Sequence, residues 1–367
     1  MTTPTMPRQR HAVFHRLRVG EVDRLTADSV AITFDVPDDL RDAYRFTQGQ
    51  HVAIRCDLGG RGVRRNYSIC SPASSGRLRI GVKQLPRGAF SGYACERLQA
   101  GDVLEVMTPA GRFFTPLDPA NAKHYVAIAA GSGITPVMSL IASTLEAEPR
   151  SQVTLLYGNR TTSSIMFLEE LSDLKDRYPD RFWMLNFLSA EPQQAGLLSG
   201  RISRAKLARL FATVLPPGDV DEWFLCGPFE MVQEIQAALA GSGVDAGRIH
   251  TELFHVGALP PAAAAARQPA PPGAGRSTVT VTLDGRATTF GLAHHAEPIL
   301  DAVLAVRPDA PYACKGGVCG TCRAKLIEGT VDMERTYALE REDISRGYVL
   351  TCQSHPTSDT VVLDYDG

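Results

Sequence analysis

Half of the chain's eight cysteines fall in one short stretch, and their spacing restricts what this end of the protein can fold into. Cys314, Cys319 and Cys322 follow the pattern Cys-x4-Cys-x2-Cys in PYACKGGVCGTCRAKL, and Cys352 follows in YVLTCQSH. That is the spacing of plant-type [2Fe–2S] clusters, in which one loop supplies three thiolates and the fourth comes from elsewhere. The alternative is a structural zinc site, but zinc more often uses two separate Cys-x2–4-Cys knuckles. Four thiolates with bridging sulfides concentrate negative charge, so backbone N–H groups must turn toward the sulfurs. Gly316, Gly317 and Gly320 give the loop that freedom. Metal binding rather than disulfide bonding also suits a reducing compartment. A cytoplasmic location follows from the N-terminus, MTTPTMPRQRHAVFHRLRVG, which has basic residues but no apolar signal core behind them. No apolar run reaches the ~20 residues needed to span a bilayer, so no membrane association is expected.

A chain of 367 residues has room for two or three domains. The sharpest break is GALPPAAAAARQPAPPGAG, which has almost nothing to bury and reads as a tether over residues 257–276. It sets off a C-terminal module over 277–367. Residues 12–117 contain short alternating runs (VAITFDV, HVAIRCDL, RLRIGVKQL, DVLEVMTP) punctuated by Gly and Pro, which predict an antiparallel β-barrel. Residues 118–256 alternate strands such as HYVAIAA, VTLLYGN, FWMLNFLS and EWFLCG with helical runs. They predict a doubly wound α/β parallel sheet. With 38 basic and 40 acidic residues, the chain has no electrostatic footprint for nucleic acid.

Gly131, Ser132 and Gly133 follow the first parallel strand and open a helix, as a phosphate-binding turn should. Pro136 stands where a third glycine is usual, and suits a first helical turn. The second strand runs into Arg160, where an Arg accommodates a 2′-phosphate and an acid would bond a ribose hydroxyl. Arg160 therefore points to NADPH rather than NADH, with a merely solvated Arg as the alternative. Cys226 ends a parallel strand, where ligands collect. Packing alone is the other reading of Cys226, and Cys56, Cys70 and Cys95 read as small buried apolar residues. His294 and His295 read as exposed or capping residues.

Arg65-Asn66-Tyr67-Ser68 in the barrel matches the Arg-x-Tyr-Ser signature of FAD-binding barrels. Together with the glycine turn and the cysteine spacing, it makes the chain resemble the ferredoxin–NADP⁺ reductase superfamily with a fused plant-type ferredoxin. The resemblance implies a multidomain fold: an antiparallel FAD barrel, a parallel nucleotide sheet and an α+β β-grasp ferredoxin. It implies that Arg65 meets the flavin pyrophosphate, and that Tyr67 and Ser68 lie against the isoalloxazine and ribityl chain. Val82 and Lys83 would line the flavin site, with Gly88, Phe90 and Ser91 forming the following pyrophosphate turn. Thr135 would lie near the flavin ring, Cys226-Gly227-Pro228 against the nicotinamide, and Glu252 and Phe254 would close the pocket. Ser68, Thr135, Cys226 and Glu252 are thus the implied catalytic set.

A nicotinamide gives two electrons as hydride, whereas a [2Fe–2S] cluster takes one at a time, so a flavin is needed between them. The expected path is NADPH to FAD to [2Fe–2S] to the oxygenase subunits of a multicomponent monooxygenase. The strings AAGSGITP, YGNRT and GYVLTCQSHP resemble reductases whose acceptor is a diiron oxygenase that epoxidises phenylacetyl-CoA. The alternative acceptor is another Rieske or diiron ring-hydroxylating oxygenase. A redox sensor using the cluster as a switch is a further alternative, disfavoured by the complete flavin signature.

Overall fold

Alternating apolar positions close the first sheet. A computed structural model of the protein describes residues 13–60, 62–254, 275–283, 285–294, 297–312, 314–339 and 341–366. Its first compact unit is Phe14–Val256. This opens with β1 (Phe14–Thr26), β2 (Ser29–Asp35), β3 (His51–Asp57), β4 (Gly62–Ser68), β5 (Leu78–Lys83), helix α1 (Ala89–Glu96) and β6 (Val103–Met107). The strands pair antiparallel in the order β4-β3-β6-β1-β2-β5. The two edges meet where Ile69 bridges Ile80 and the Cys70 N–H donates to Arg79 O at 2.8 Å, closing the barrel. Leu17, Ile32, Ile54 and Ile80 fill its interior. Strand β1 carries Arg and Glu on its outer positions while Leu17 and Val19 point inward, so its alternation is hard to read in the sequence.

The remainder of this unit is β7 (His124–Ala130), α2 (Ile134–Ala147), β8 (Gln152–Asn159), α3 (Leu168–Arg177), β9 (Phe182–Leu188), α4 (Arg204–Thr213), β10 (Glu222–Gly227), α5 (Phe229–Gly241) and β11 (Ile249–Leu253). All five strands are parallel, in the order β11-β10-β7-β8-β9. β7 is a continuous apolar run because both of its faces are covered. Tyr125, Ala127 and Ala129 pack in the same core as residues of α2 and α3. Val126 and Ile128 pack on the other side with residues of α4 and α5. Leu171 and Leu174 seat the amphipathic helix α3 on the sheet. The strand order reverses between β7 and β10, the place where such sheets bind ligands at their carboxyl ends.

The C-terminal unit contains β12 (Arg276–Leu283), β13 (Arg286–Ala293), α6 (Ile299–Val306), β14 (Arg323–Glu328), β15 (Val331–Met333), α7 (Arg341–Ser345), β16 (Tyr348–Leu350), β17 (Ser354–Pro356) and β18 (Thr360–Asp364). Its mixed sheet runs β13-β12-β18-β14-β16, with β12 and β18 parallel and the other neighbours antiparallel. Ile299, Leu300 and Val303 of α6 join Val279, Val281 and Leu363 in one core. This is the α+β grasp expected from the family resemblance. Of the tether read over 257–276, residues 257–274 lie outside the described residues, and Arg276 already belongs to a strand. His295 also lies outside them. His294 corrects an expectation: it is half-buried, and its Nε2 is shut off from solvent without a hydrogen-bond partner among the described residues. Among the described residues no helix is long and apolar enough to cross a membrane.

Candidate functional site

Two strand ends and one helix start converge at the reversal point of the parallel sheet. β7 runs into Gly131-Ser132-Gly133 and then α2, while β10 ends at Cys226-Gly227 before Pro228 caps α5. A Cβ on Gly133 would lie 2.2 Å from Cys226 O and 2.9 Å from Gly227 N, so this glycine is needed for backbone contact. Gly131 differs: its φ is +53° and a Cβ there would meet nothing within 4 Å, leaving an open face on the turn. The Tyr157 hydroxyl fixes Gly131 by donating to its carbonyl at 2.9 Å. The Thr135 hydroxyl donates to Ser132 O at 3.0 Å and so ties the turn to the first coil of α2.

The barrel reaches the same place from two sides. A Cβ on Gly81 of β5 would lie 2.4 Å from Thr135 Cγ2, so only glycine lets β5 approach α2 this closely. The glycine inside the strand RLRIGVKQL is the sequence signal for that approach, one that motif reading alone passes over. On the other side, β4 ends at Ser68, whose hydroxyl donates to Glu252 Oε1 at 3.3 Å. Glu252 sits on β11 in register with Cys226 on β10. Its Oε2 is enclosed without a partner among the described residues, and burial raises the Glu252 carboxyl to about 8 against the lowering effect of the Ser68 bond. Burial also pushes the Cys226 thiol well up, and the Glu252 charge adds to that. Ser68, Thr135, Cys226 and Glu252 therefore lie where the barrel meets the carboxyl ends of the parallel strands. Phe254 packs against the adjoining core.

The other barrel residues divide into exposed and committed groups. Arg65 is exposed, one of its N–H groups donating to Arg64 O at 2.7 Å. Both ends of the Asn66 amide are enclosed without partners among the described residues. The Tyr67 ring lies 5.3 Å from Phe90, which itself is buried in the barrel core. Val82 is likewise a core side chain, and Lys83 Nζ lies 3.4 Å from Asp28. Ser91 Oγ accepts from the Leu85 N–H, and a Cβ on Gly88 would lie 2.2 Å from that oxygen. Ser91 thus holds the turn before α1 in shape. Arg160 is exposed just beyond β8.

In the C-terminal unit the four cysteines come together as two pairs. Cys314 and Cys319 are within hydrogen-bond reach of each other, as are Cys322 and Cys352. Among the described residues no three His, Cys, Asp or Glu side chains converge on one metal position. The hydrogen bond from the Cys319 thiol, then N–H groups of Gly316, Val318 and Cys319, hold Cys314 below the usual thiol range. The Cys322 thiol likewise holds Cys352 below the usual range. Gly317 and Gly320 adopt left-handed φ of +77° and +66°, as the glycine-rich loop requires. The third left-handed residue is Lys315, at φ +52°, next to the Gly316 expected to take that conformation. Loop N–H groups aimed at sulfur are the donor set an anionic iron–sulfur centre needs.

Three family models match this chain. They are the oxidoreductase FAD-binding domain over residues 16–114, the oxidoreductase NAD-binding domain over 127–237 and the 2Fe-2S iron-sulfur cluster binding domain over 281–357. Fold and domain order thus define a three-domain flavin and iron–sulfur oxidoreductase. The chain is 44% identical over 353 residues to one subunit of the 1,2-phenylacetyl-CoA epoxidase of Escherichia coli K12, covering 96% of this chain and 98% of that one. It is 33% identical, over the full length of both, to the ferredoxin reductase component of the 3-ketosteroid-9-alpha-monooxygenase of Rhodococcus rhodochrous. Its fold matches phthalate dioxygenase reductase with a TM-score of 0.57 and 24% identity, covering 96% of this chain and 98% of that one. The chain belongs to the reductase components of multicomponent oxygenases within the ferredoxin–NADP⁺ reductase superfamily, passing electrons through FAD and a [2Fe–2S] cluster.

Proposed function

We propose that this chain is the NADPH-dependent reductase of a carboxylate-bridged diiron oxygenase that epoxidises the ring of phenylacetyl-CoA, in the cytoplasm. The observation that carries the hydride site is the buried Glu252 carboxyl, in register with Cys226 and hydrogen-bonded to Ser68 of the barrel. Sequence identity of 44% over nearly the whole chain supports the choice of acceptor. When bound, the flavin accepts a hydride and releases single electrons, which the [2Fe–2S] cluster takes up one at a time. Arg65 would hold the flavin pyrophosphate at the turn shaped by Gly88 and Ser91, with Phe90 fixing Tyr67 against the ring. Val82 and Lys83 would border the flavin through β5, and Thr135 would cover it from α2. The open face of Gly131, with Ser132 and Gly133, would admit the nicotinamide coenzyme. Cys226, Gly227 and Pro228 would support its ring, Arg160 would bind the 2′-phosphate, and Phe254 would exclude water. Glu252 would hold a proton at its carboxyl near neutral pH, keeping this enclosed wall uncharged. Cys314 with Cys319, and Cys322 with Cys352, would each hold one iron of a plant-type cluster. That pairing favours a binuclear centre over a single zinc ion.

The deciding experiment mixes the purified, FAD- and iron-loaded protein with the epoxidase's oxygenase subunits, phenylacetyl-CoA and either NADPH or NADH. Coenzyme-dependent oxygenation of phenylacetyl-CoA is expected, faster with NADPH. Reduction of ferricyanide without any oxygenation in that mixture, but with turnover by a Rieske oxygenase, would refute the assigned partner.

A further inference from the structure

We propose that Gln353 positions the thiol loop and donates its side-chain amide to Cys352, raising the reduction potential of the centre those cysteines hold. This rests on reading Cys314, Cys319, Cys322 and Cys352 as the ligand set. Gln353 is 4% exposed, although glutamine is seldom buried. Its Nε2 lies 3.6 Å from Cys352 Sγ, 3.1 Å from Lys315 O and 2.7 Å from Cys352 O. Two N–H hydrogens thus serve three acceptors, every one of them in the thiol loop or on the distant cysteine. One amide ties the residue after Cys314 to Cys352 and so links the two thiol pairs.

The surroundings explain why an amide stands here. Lys315 is held at a left-handed φ of +52°, and the bond to its carbonyl helps keep it there. A Cβ on Gly317 would lie 3.0 Å from Gln353 Cγ, so the loop closes directly over this side chain. Gln353 Oε1 is buried with no partner among the described residues, which costs stability that methionine of similar shape would not incur. What the site gains from glutamine is the donor. Reduction places one added electron on the centre with no bond broken and no proton moved. An N–H directed at a ligand sulfur stabilises that more negative state over the oxidised one and raises the potential.

The test uses the full chain loaded with FAD and iron, comparing the native protein with Gln353→Met and Gln353→Glu. FAD content and NADPH–ferricyanide activity should stay native in both variants, while iron content reads the loop-positioning role. The midpoint of the iron–sulfur EPR signal in a redox titration should fall. At the native midpoint, Gln353→Met should show at least threefold less reduced than oxidised centre. That is about 28 mV, at 59 mV per tenfold for one electron. Gln353→Glu should fall further at a pH where it is ionised. Native iron with an unchanged midpoint in both variants would overturn the proposal. Should neither variant assemble iron, native protein carrying amide-¹⁵N glutamine decides: hyperfine coupling of that nitrogen to the reduced centre supports the donor, and its absence overturns it. A native protein with no iron–sulfur signal would instead remove the ligand assignment underneath.

Discussion

Gly133→Ala should damage this enzyme through geometry alone. The added methyl would sit 2.2 Å from Cys226 O, and ordinary contact begins near 3.4 Å, so the turn and β10 must separate by roughly 1.2 Å. The obstructing atom is backbone in a central strand, so no rotamer change relieves it. Overpacking of this kind costs about 1–3 kcal/mol. A displacement near 1 Å at a reaction site costs on the order of 10²-fold in rate. Gly131→Ala is the contrasting case: its methyl meets no protein atom within 4 Å, so its left-handed φ resists substitution at about 1–2 kcal/mol, while the methyl stands on the face proposed for the coenzyme. Urea unfolding and NADPH–ferricyanide kinetics on FAD-loaded protein separate the two. Gly133→Ala should lose about 1–3 kcal/mol and on the order of 10²-fold in kcat/KM while retaining FAD. Gly131→Ala should lose stability and raise the KM for NADPH with kcat nearly kept. A Gly133→Ala protein with native stability and native rate would refute the reasoning.

Cys352→Ser should abolish or weaken iron incorporation, since serine oxygen is a poor substitute for thiolate on iron, while FAD binding and ferricyanide reduction persist. Iron content, flavin absorbance and both activities on one preparation check this. Arg160→Ala should weaken NADPH use by roughly 10- to 150-fold, the loss of a charge-assisted hydrogen bond, and spare NADH; an equal effect on both coenzymes would sink the 2′-phosphate role. Burial lowers the His51 ring to about 4, so the unfolded chain takes up its proton first as pH falls below about 6.5. Stability should therefore drop by about 3 kcal/mol between pH 6.5 and 4 through this residue and level off below. Comparing the pH dependence of unfolding in native protein and His51→Gln should show that loss reduced in the variant.

The parallel sheet was legible because HYVAIAA and EWFLCG are apolar on both faces and lie at the sheet's centre. Strands β1 and β11 were not: the charged outer positions of β1 obscure its alternation, and IHTEL is short and only half-buried. The family signature pointed to Ser68 and Glu252 separately. Their hydrogen bond joins positions 184 residues apart, which no local pattern reveals. Gly133 reads as a phosphate glycine by its position, but that a Cβ on it would strike the Cys226 carbonyl, an atom far off in the chain, shows only in the fold. The left-handed Lys315 is invisible in advance because lysine has no preference for that conformation, and the Gln353 bond helps hold it there.

The bond between Ser68 and Glu252 also has a meaning for synthesis. Domains emerge and fold from the N-terminus at about 5–20 residues per second, so Glu252 follows Ser68 by roughly 10–40 s. Once β6 has followed, the barrel can form with its Arg-x-Tyr-Ser strand in place, and for the rest of that interval it lacks the β11 carboxyl that bonds to Ser68. A nascent chain halted in the nucleotide sheet would carry an unfinished pocket. Tight flavin capture should accordingly mark chains completed through β11, so the colour of the folded protein reports that its nucleotide half has been made.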